Sequence, residues 1–298
     1  MMLFVPILAI LVLAGAVLGF GWNASSRAMQ PACGSYDWSR ADYPELSAED
    51  VVVESSTGAR LAGRFYAGRT PTTVVLLHGY GGNQDEVLPL ANQLHEAGFT
   101  VFSYDQRGCG ASTGKVTFGA REQDDLISVV DYLSSRSDVD RERLGVFGFS
   151  MGGATAIMTA AREPRLKAVV ADSAWSDVRA WLQPSVKDSL LHPRDPFTAL
   201  SLRLAQLRTG IDLDELRPAD VVGRISPRPI LLIHGRADEV IRAAEAERNH
   251  GAAQEPKELV LVSGAGHGDT IAPDGASLRG HVRDFFERAL TRRAKVAA

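Results

Sequence analysis

Gly148-Phe149-Ser150-Met151-Gly152 separates an apolar run, Leu144 to Phe147, from a run of small residues, Gly153 to Ala161. No other stretch restricts the fold as much. The first run has the length of a buried strand and the second the composition of a closely packed helix. A strand that turns sharply into a helix holds a serine at its apex with the hydroxyl exposed. Glycine on both sides removes the Cβ atoms that would collide in so tight a turn. The plainer role for Ser150 is a helix cap.

The rest of the chain repeats this alternation. Val51 to Ser55 and Arg60 to Tyr66 flank Thr57-Gly58 and read as an antiparallel hairpin. Short apolar runs follow at Val74 to Leu77, Phe99 to Tyr104, Leu144 to Phe147, Ala168 to Ala171, Ile230 to Ile233 and Leu259 to Val262. Between them the spacing predicts helices over Asp85 to Ala97, Arg121 to Ser135, Val240 to His250 and Leu278 to Leu290. Strands alternating with helices mean right-handed crossovers and a mainly parallel sheet covered on both faces. One interval breaks the rhythm. Between Asp172 and Pro227 no strand is predicted, and prolines punctuate two helical stretches. This reads as a small helical cap over about 175–217, above the carboxyl edge of the sheet where ligands bind in open α/β folds. Trp175, Trp181, Leu190, Leu191 and Phe197 would line an apolar acyl pocket or pack the cap's own core.

Composition excludes some functions. A net charge of −4 with no long basic cluster gives nucleic acid no electrostatic footprint. The two cysteines, Cys33 and Cys109, are too few for a disulfide framework and do not resemble a metal-ligand set.

The N-terminus departs from the globular pattern. Met1 to Trp22 carries no charged side chain. About 20 apolar residues at ~1.5 Å each span a bilayer core of ~30 Å, so residues 1–22 read as a single-pass membrane anchor. The alternative is a cleaved signal segment, with a secreted or periplasmic body. Arg27 and Arg40 follow the run and no basic side chain precedes it, a weak bias toward a cytoplasmic body. Residues 23–49 read as a linker, and residues 50–298 as one domain carrying the cap.

A serine hydroxyl is a poor nucleophile until a base takes its proton, and the base is most often a histidine oriented by a carboxylate. His267 lies among Gly264, Gly266 and Gly268, directly after an apolar strand, and is the expected base. Asp238, in a loop between a strand and a helix, is the expected acid, with Asp172 the alternative position. His234 is expected to support the acid's loop. Attack on a carbonyl places negative charge on oxygen, which backbone N–H groups stabilise. The amide of Met151, at a helix start, is one expected donor. The second comes from His78-Gly79-Tyr80-Gly81-Gly82: Tyr80 is preferred, with Gly79 and Gly81 open.

With these residues in view, the chain resembles the α/β-hydrolase superfamily, in its serine aminopeptidase/acylglycerol-lipase-like branch of small esterases. The matching segments are His78-Gly79 with Gly81-Gly82, Tyr104 to Ser112, Gly148 to Gly152, His234-Gly235 with Asp238, and Gly266-His267-Gly268, in the family's order. The resemblance implies an eight-stranded sheet, no metal, and acyl transfer to water through an acyl-serine; no cofactor is expected. It implies a structural loop around Asp105 and Arg107. The expected substrate is a small acyl ester or thioester. A peptidase on the same fold and a non-catalytic binding module are the alternatives.

Overall fold

The computed structural model describes residues 15, 17–19, 21–23, 25–181, 203–204 and 206–291. Most of the anchor segment expected at 1–22, and residues 182–202 and 205 of the expected cap, lie outside these. Among the described residues no helix is long and apolar enough to cross a membrane.

Eight strands form one sheet: β1 (Glu49–Glu54), β2 (Arg60–Tyr66), β3 (Thr73–Leu77), β4 (Thr100–Tyr104), β5 (Leu144–Phe149), β6 (Leu166–Asp172), β7 (Ile230–Gly235) and β8 (Lys257–Val262). Their order is β1-β2-β4-β3-β5-β6-β7-β8. β1 and β2 pair antiparallel, as do β2 and β4, and every later pairing is parallel. The chain therefore leaves β3 toward one side of the sheet and returns through β5 on the other. This reversal opens a crevice at the carboxyl ends of β3 and β5, the place where open α/β sheets bind ligands.

The longer helices are α1 (Leu88–Glu96), α2 (Glu122–Ser135), α3 (Met151–Ala160), α4 (Ala244–Ala252) and α5 (Ala276–Phe286). Alternate side chains of the central strands feed two separate cores, as a period of two requires. Val75, Leu77, Val146, Val169 and Leu232 pack toward α2 and α3 with Leu126, Val130 and Ile157. Val74, Leu76, Phe147, Val170 and Ile233 pack the other way with Leu90, Leu94, Val282 and Phe286. β3, β4, β5 and β7 are buried throughout, which is why they read as unbroken apolar runs.

Two helices start later than their sequences suggest. The helix expected from Asp85 begins at Leu88. Pro89 has no N–H to give the Asp85 carbonyl, which accepts instead from Leu88 N at 3.1 Å and from the Trp38 indole at 2.7 Å. The helix expected from Val240 begins at Ala244. Asp238 Oδ1 takes the N–H groups of Val240 and Ile241 at 2.9 and 2.8 Å, so those residues form a turn around a carboxylate.

The expected linker is folded onto the body. Residues 25–29 are helical, Met29 is buried, and its carbonyl accepts from Val116 N at 2.9 Å. In the cap interval the described residues form only short helical pieces, among them Val178–Trp181 and Pro218–Val221, and no strand. Trp175 is fully buried in a cluster with Met151, Val178, Leu216 and Ile241, so it packs between cap and body.

Candidate active site

The strand registers align Leu77 with Gly148, Phe149 with Asp172, and Gly235 with Val262, so the loops after β3, β5, β6, β7 and β8 all open on one edge. Ser150 occupies the turn between β5 and α3 with φ 54° and ψ −117°, outside the regions L-residues prefer. The flanking glycines are required by contact. A Cβ on Gly148 would lie 2.1 Å from Gly152 O, and one on Gly152 would lie 2.6 Å from His78 O. Ser150 N donates to Asp172 O at 2.8 Å and fixes the turn against β6. Met151 is the first residue of α3, where an N–H has no intrahelical acceptor and the helix dipole favours negative charge.

His267 Nε2 lies 3.1 Å from Ser150 Oγ, and His267 Nδ1 lies 2.7 Å from Asp238 Oδ2. An ionised carboxylate only accepts, so Nδ1 carries the proton and Nε2 turns its lone pair to the serine. The loops that bring them together are tied to each other: Ala237 N donates to Ala265 O at 2.9 Å. A Cβ on Gly235 would meet that same carbonyl at 2.3 Å, so the close approach of the two loops needs a glycine there. The Phe149 ring packs against the imidazole with centroids 4.8 Å apart.

Asp238 is fully buried at its side chain, while His267 keeps 18% of its side chain exposed. Burial pushes the Asp238 carboxyl up, but hydrogen bonds from His234, His267 and the Ile241 amide outweigh it and hold the group well below its ordinary value. It therefore stays ionised. His234 Nε2 lies 3.2 Å from Asp238 Oδ2 and 2.8 Å from Ile241 O, so its ring supports the acid's loop. Asp172, the alternative acid position, ends β6 and is completely buried. Burial lifts its carboxyl to about 6, against the pull of the Ser173 and Thr270 hydroxyls and the nearby imidazoles. No hydrogen bond joins it to His267.

Across the crevice, the loop after β3 is a turn closed by Gly82 N donating to Gly79 O at 3.1 Å, with Gly81 at φ +70°. The buried His78 ring accepts Gln106 N at Nε2 at 2.8 Å, so its Nδ1–H donates to Gly79 O at 2.7 Å. A peptide plane is trans, so pinning the Gly79 carbonyl directs the Tyr80 N–H to the opposite side. Gly79 N donates to Glu86 Oε2 at 2.6 Å, which removes that amide from the candidates left open by the sequence. Asp105 accepts Gln84 N and Ala111 N, each at 2.8 Å, while Arg107 pairs with the buried Asp125, so this segment braces the turn from below.

Glu86 is the site residue that sequence reading missed. It lies seven residues beyond the amide it holds, in a stretch read as helix, and no local pattern announces it. Of the remaining downstream histidines, His281 is exposed and His250 lies in α4, and His192 is outside the described residues. Among the described residues no group of three or more His, Cys, Asp or Glu side chains is arranged to hold a metal ion. A cleft of about 610 Å³ between α1 and α5, lined by Tyr43, Gln93 and Arg279, shares no residue with this constellation.

Comparison with known proteins agrees with this architecture. The family model of the alpha/beta hydrolase fold matches residues 72–191. An uncharacterized protein of Escherichia coli strain K12, YfhR, is 32% identical over 254 residues, 82% of either chain. An uncharacterized protein of Mycobacterium tuberculosis strain H37Rv, Rv2307c, is 30% identical over 295 residues, 94% of either chain. Among solved structures, Pyrococcus furiosus esterase Pf2001 has a TM-score of 0.70 at 24% identity, covering 88% of this chain and 99% of its own. Est1E of Butyrivibrio proteoclasticus, solved with ferulic acid bound, has a TM-score of 0.64 at 18% identity, covering 81% of this chain and all of its own. At such identities the likeness to solved structures is one of fold.

Proposed function

The chain belongs to the alpha/beta hydrolase fold family, and on that premise we propose that it is a serine hydrolase acting on carboxylic esters or thioesters. The observation that carries this reading is the unbroken path from Asp238 Oδ2 through His267 to Ser150 Oγ, at 2.7 and 3.1 Å. That a fold neighbour is named an esterase supports the ester class.

Ser150 Oγ attacks the substrate carbonyl carbon while His267 Nε2 takes the hydroxyl proton. Asp238 holds the ring in the required tautomer and stabilises its charged form. The amides of Met151 and Tyr80 stabilise the oxyanion, each worth roughly 3–4 kcal/mol by analogy with measured donors. The intermediate collapses and His267 gives its proton to the departing alkoxide or thiolate, leaving an acyl-serine. Water then attacks the acyl carbon as His267 takes its proton, and His267 returns that proton to Ser150 Oγ as the C–Oγ bond breaks and the acid leaves. The test is covalent. A fluorophosphonate probe labels Ser150 in the folded protein, and Ser150→Ala abolishes both labelling and turnover of a short p-nitrophenyl ester. Turnover by Ser150→Ala near the wild-type rate removes the reading.

The uncharged run from Met1 to Trp22 supports a companion proposal, that it anchors this hydrolase to a membrane. The full chain then resists carbonate extraction while a chain starting at residue 23 does not. Complete extraction of the full chain counts against it.

A further inference from the structure

We propose that residues 28–36, ahead of the first strand, form a clamp that holds the oxyanion turn 79–82, making the N-terminal segment a working part of the site. This rests on the reading of the Tyr80 amide as an oxyanion donor.

Three contacts reach that turn from the segment, each at a different residue. Tyr80 Oη donates to Ala28 O at 3.0 Å. Gly34 N donates to Gly81 O at 2.7 Å. The Tyr36 hydroxyl lies beside Glu86, the carboxylate that accepts Gly79 N at 2.6 Å, and both stand against Gly82. Burial, then the adjacent Glu86, push the Tyr36 phenol above its ordinary value, so the hydroxyl keeps its proton next to the carboxylate. The packing is close: a Cβ on Gly82 would lie 2.6 Å from Glu86 Oε2 and 3.0 Å from Tyr36 Oη, so either side chain would have to move to admit one. The clamp itself is fastened to the body. Met29 O accepts Val116 N at 2.9 Å, Asn83 Nδ2 donates to Gly34 O at 2.8 Å, and the Trp38 indole bonds Asp85 O at 2.7 Å.

The physical need for a clamp follows from the turn's composition. Gly79, Gly81 and Gly82 surround Tyr80, so three of its four residues lack the Cβ that limits backbone motion. An oxyanion donor stabilises charge only when it is already aimed, because reorienting a peptide at the moment of reaction costs part of what the bond returns. His78 and Gly82 fix the Gly79 carbonyl from within the body. The clamp fixes what they leave: the Gly79 amide through Glu86, the Gly81 carbonyl, and the Tyr80 side chain. Tyr36 acts through Glu86 and touches no substrate, so it is a positioning residue.

Tyr36→Phe and Tyr80→Phe each delete one hydroxyl and leave the backbone unchanged. In the full chain, kcat for p-nitrophenyl butyrate is expected to fall roughly 10-fold in each, with KM within about twofold. Affinity for a trifluoromethyl ketone, which forms a serine-bound oxyanion, falls in parallel. A merely structural role lowers Tm and leaves kcat and ketone affinity of the folded fraction unchanged, and that result overturns the clamp. If Tyr36→Phe fails to fold, Tyr80→Phe decides by the same readings. Wild-type protein that turns over ester and is labelled at Ser150, alongside variants of unchanged kcat, removes the clamp alone. Wild type without turnover or labelling removes the hydrolase reading and the clamp with it.

Discussion

The two sides of the crevice are built differently. On the acid–base side, the bonds that fix Asp238 and His267 come from the end of β7 and the loops after β7 and β8: His234, the Val240 and Ile241 amides, and the stitch from Ala237 to Ala265. On the proposed oxyanion side, the turn after β3 is held by the nearby Glu86 and by partners far away in sequence: Gln106 through His78, and Ala28 and Gly34 of the N-terminal segment, with Tyr36 beside Glu86. A side fixed by its own loops is robust to changes elsewhere. A side fixed by distant segments makes catalysis sensitive to whatever moves them, including the path of the chain before residue 28.

Changes on the self-contained side grade the strength of its bonds. Asp238→Asn keeps the shape but loses the carboxylate that sets the His267 tautomer, and kcat is expected to fall by roughly 10⁴. His234→Ala removes one support of that carboxylate and leaves the His267 contact, so the fall is roughly 10- to 100-fold with KM little changed. Steady-state kinetics on a p-nitrophenyl ester rank the pair, and equal losses would mean that His234 acts directly rather than through the acid.

The smallest effect is one of stability, and it separates two carboxyl groups at the same edge. Asp238 has a depressed pKa, so its contribution is present above the ordinary carboxylate range and is lost as pH falls through and below about 4. Asp172 runs the other way. Its folded-state pKa of about 6 exceeds the unfolded one, so its favourable linkage is complete below about pH 4 and lost as pH rises through 6. Asp172→Asn removes that loss. At pH 8 the variant is expected to be more stable than wild type by about 1–3 kcal/mol, and at pH 4 to match it within about 1. Paired thermal melts check this, and a variant less stable at pH 8 would show that ionised Asp172 supports the fold.

Much of this was legible in the chain. Eight strands and their alternation with helices can be read from local runs, and the expected chain order of serine, acid and histidine picks the candidate loops from them. Burial on both faces leaves a continuous apolar signature, and a sharp strand-to-helix turn leaves paired glycines. The late start of α4 was hidden because Val240 and Ile241 look helical until Asp238 takes their amides. The same holds for the segment read as a linker at 23–49, whose mix of Ser, Asp, Pro and Gly does not say which surface it covers.

Sequence by itself determined that Ser150, Asp238 and His267 are the candidates for the chemistry and that their loops share one edge, because strand direction and loop order follow from short-range pattern. Only the tertiary structure decided which amide of the glycine turn is spent on Glu86, which carboxyl meets His267, and that the N-terminal segment reaches the oxyanion turn. Those choices depend on hydrogen bonds between groups from seven to 52 residues apart, and a hydrogen bond is decided by tenths of an ångström that no local pattern encodes.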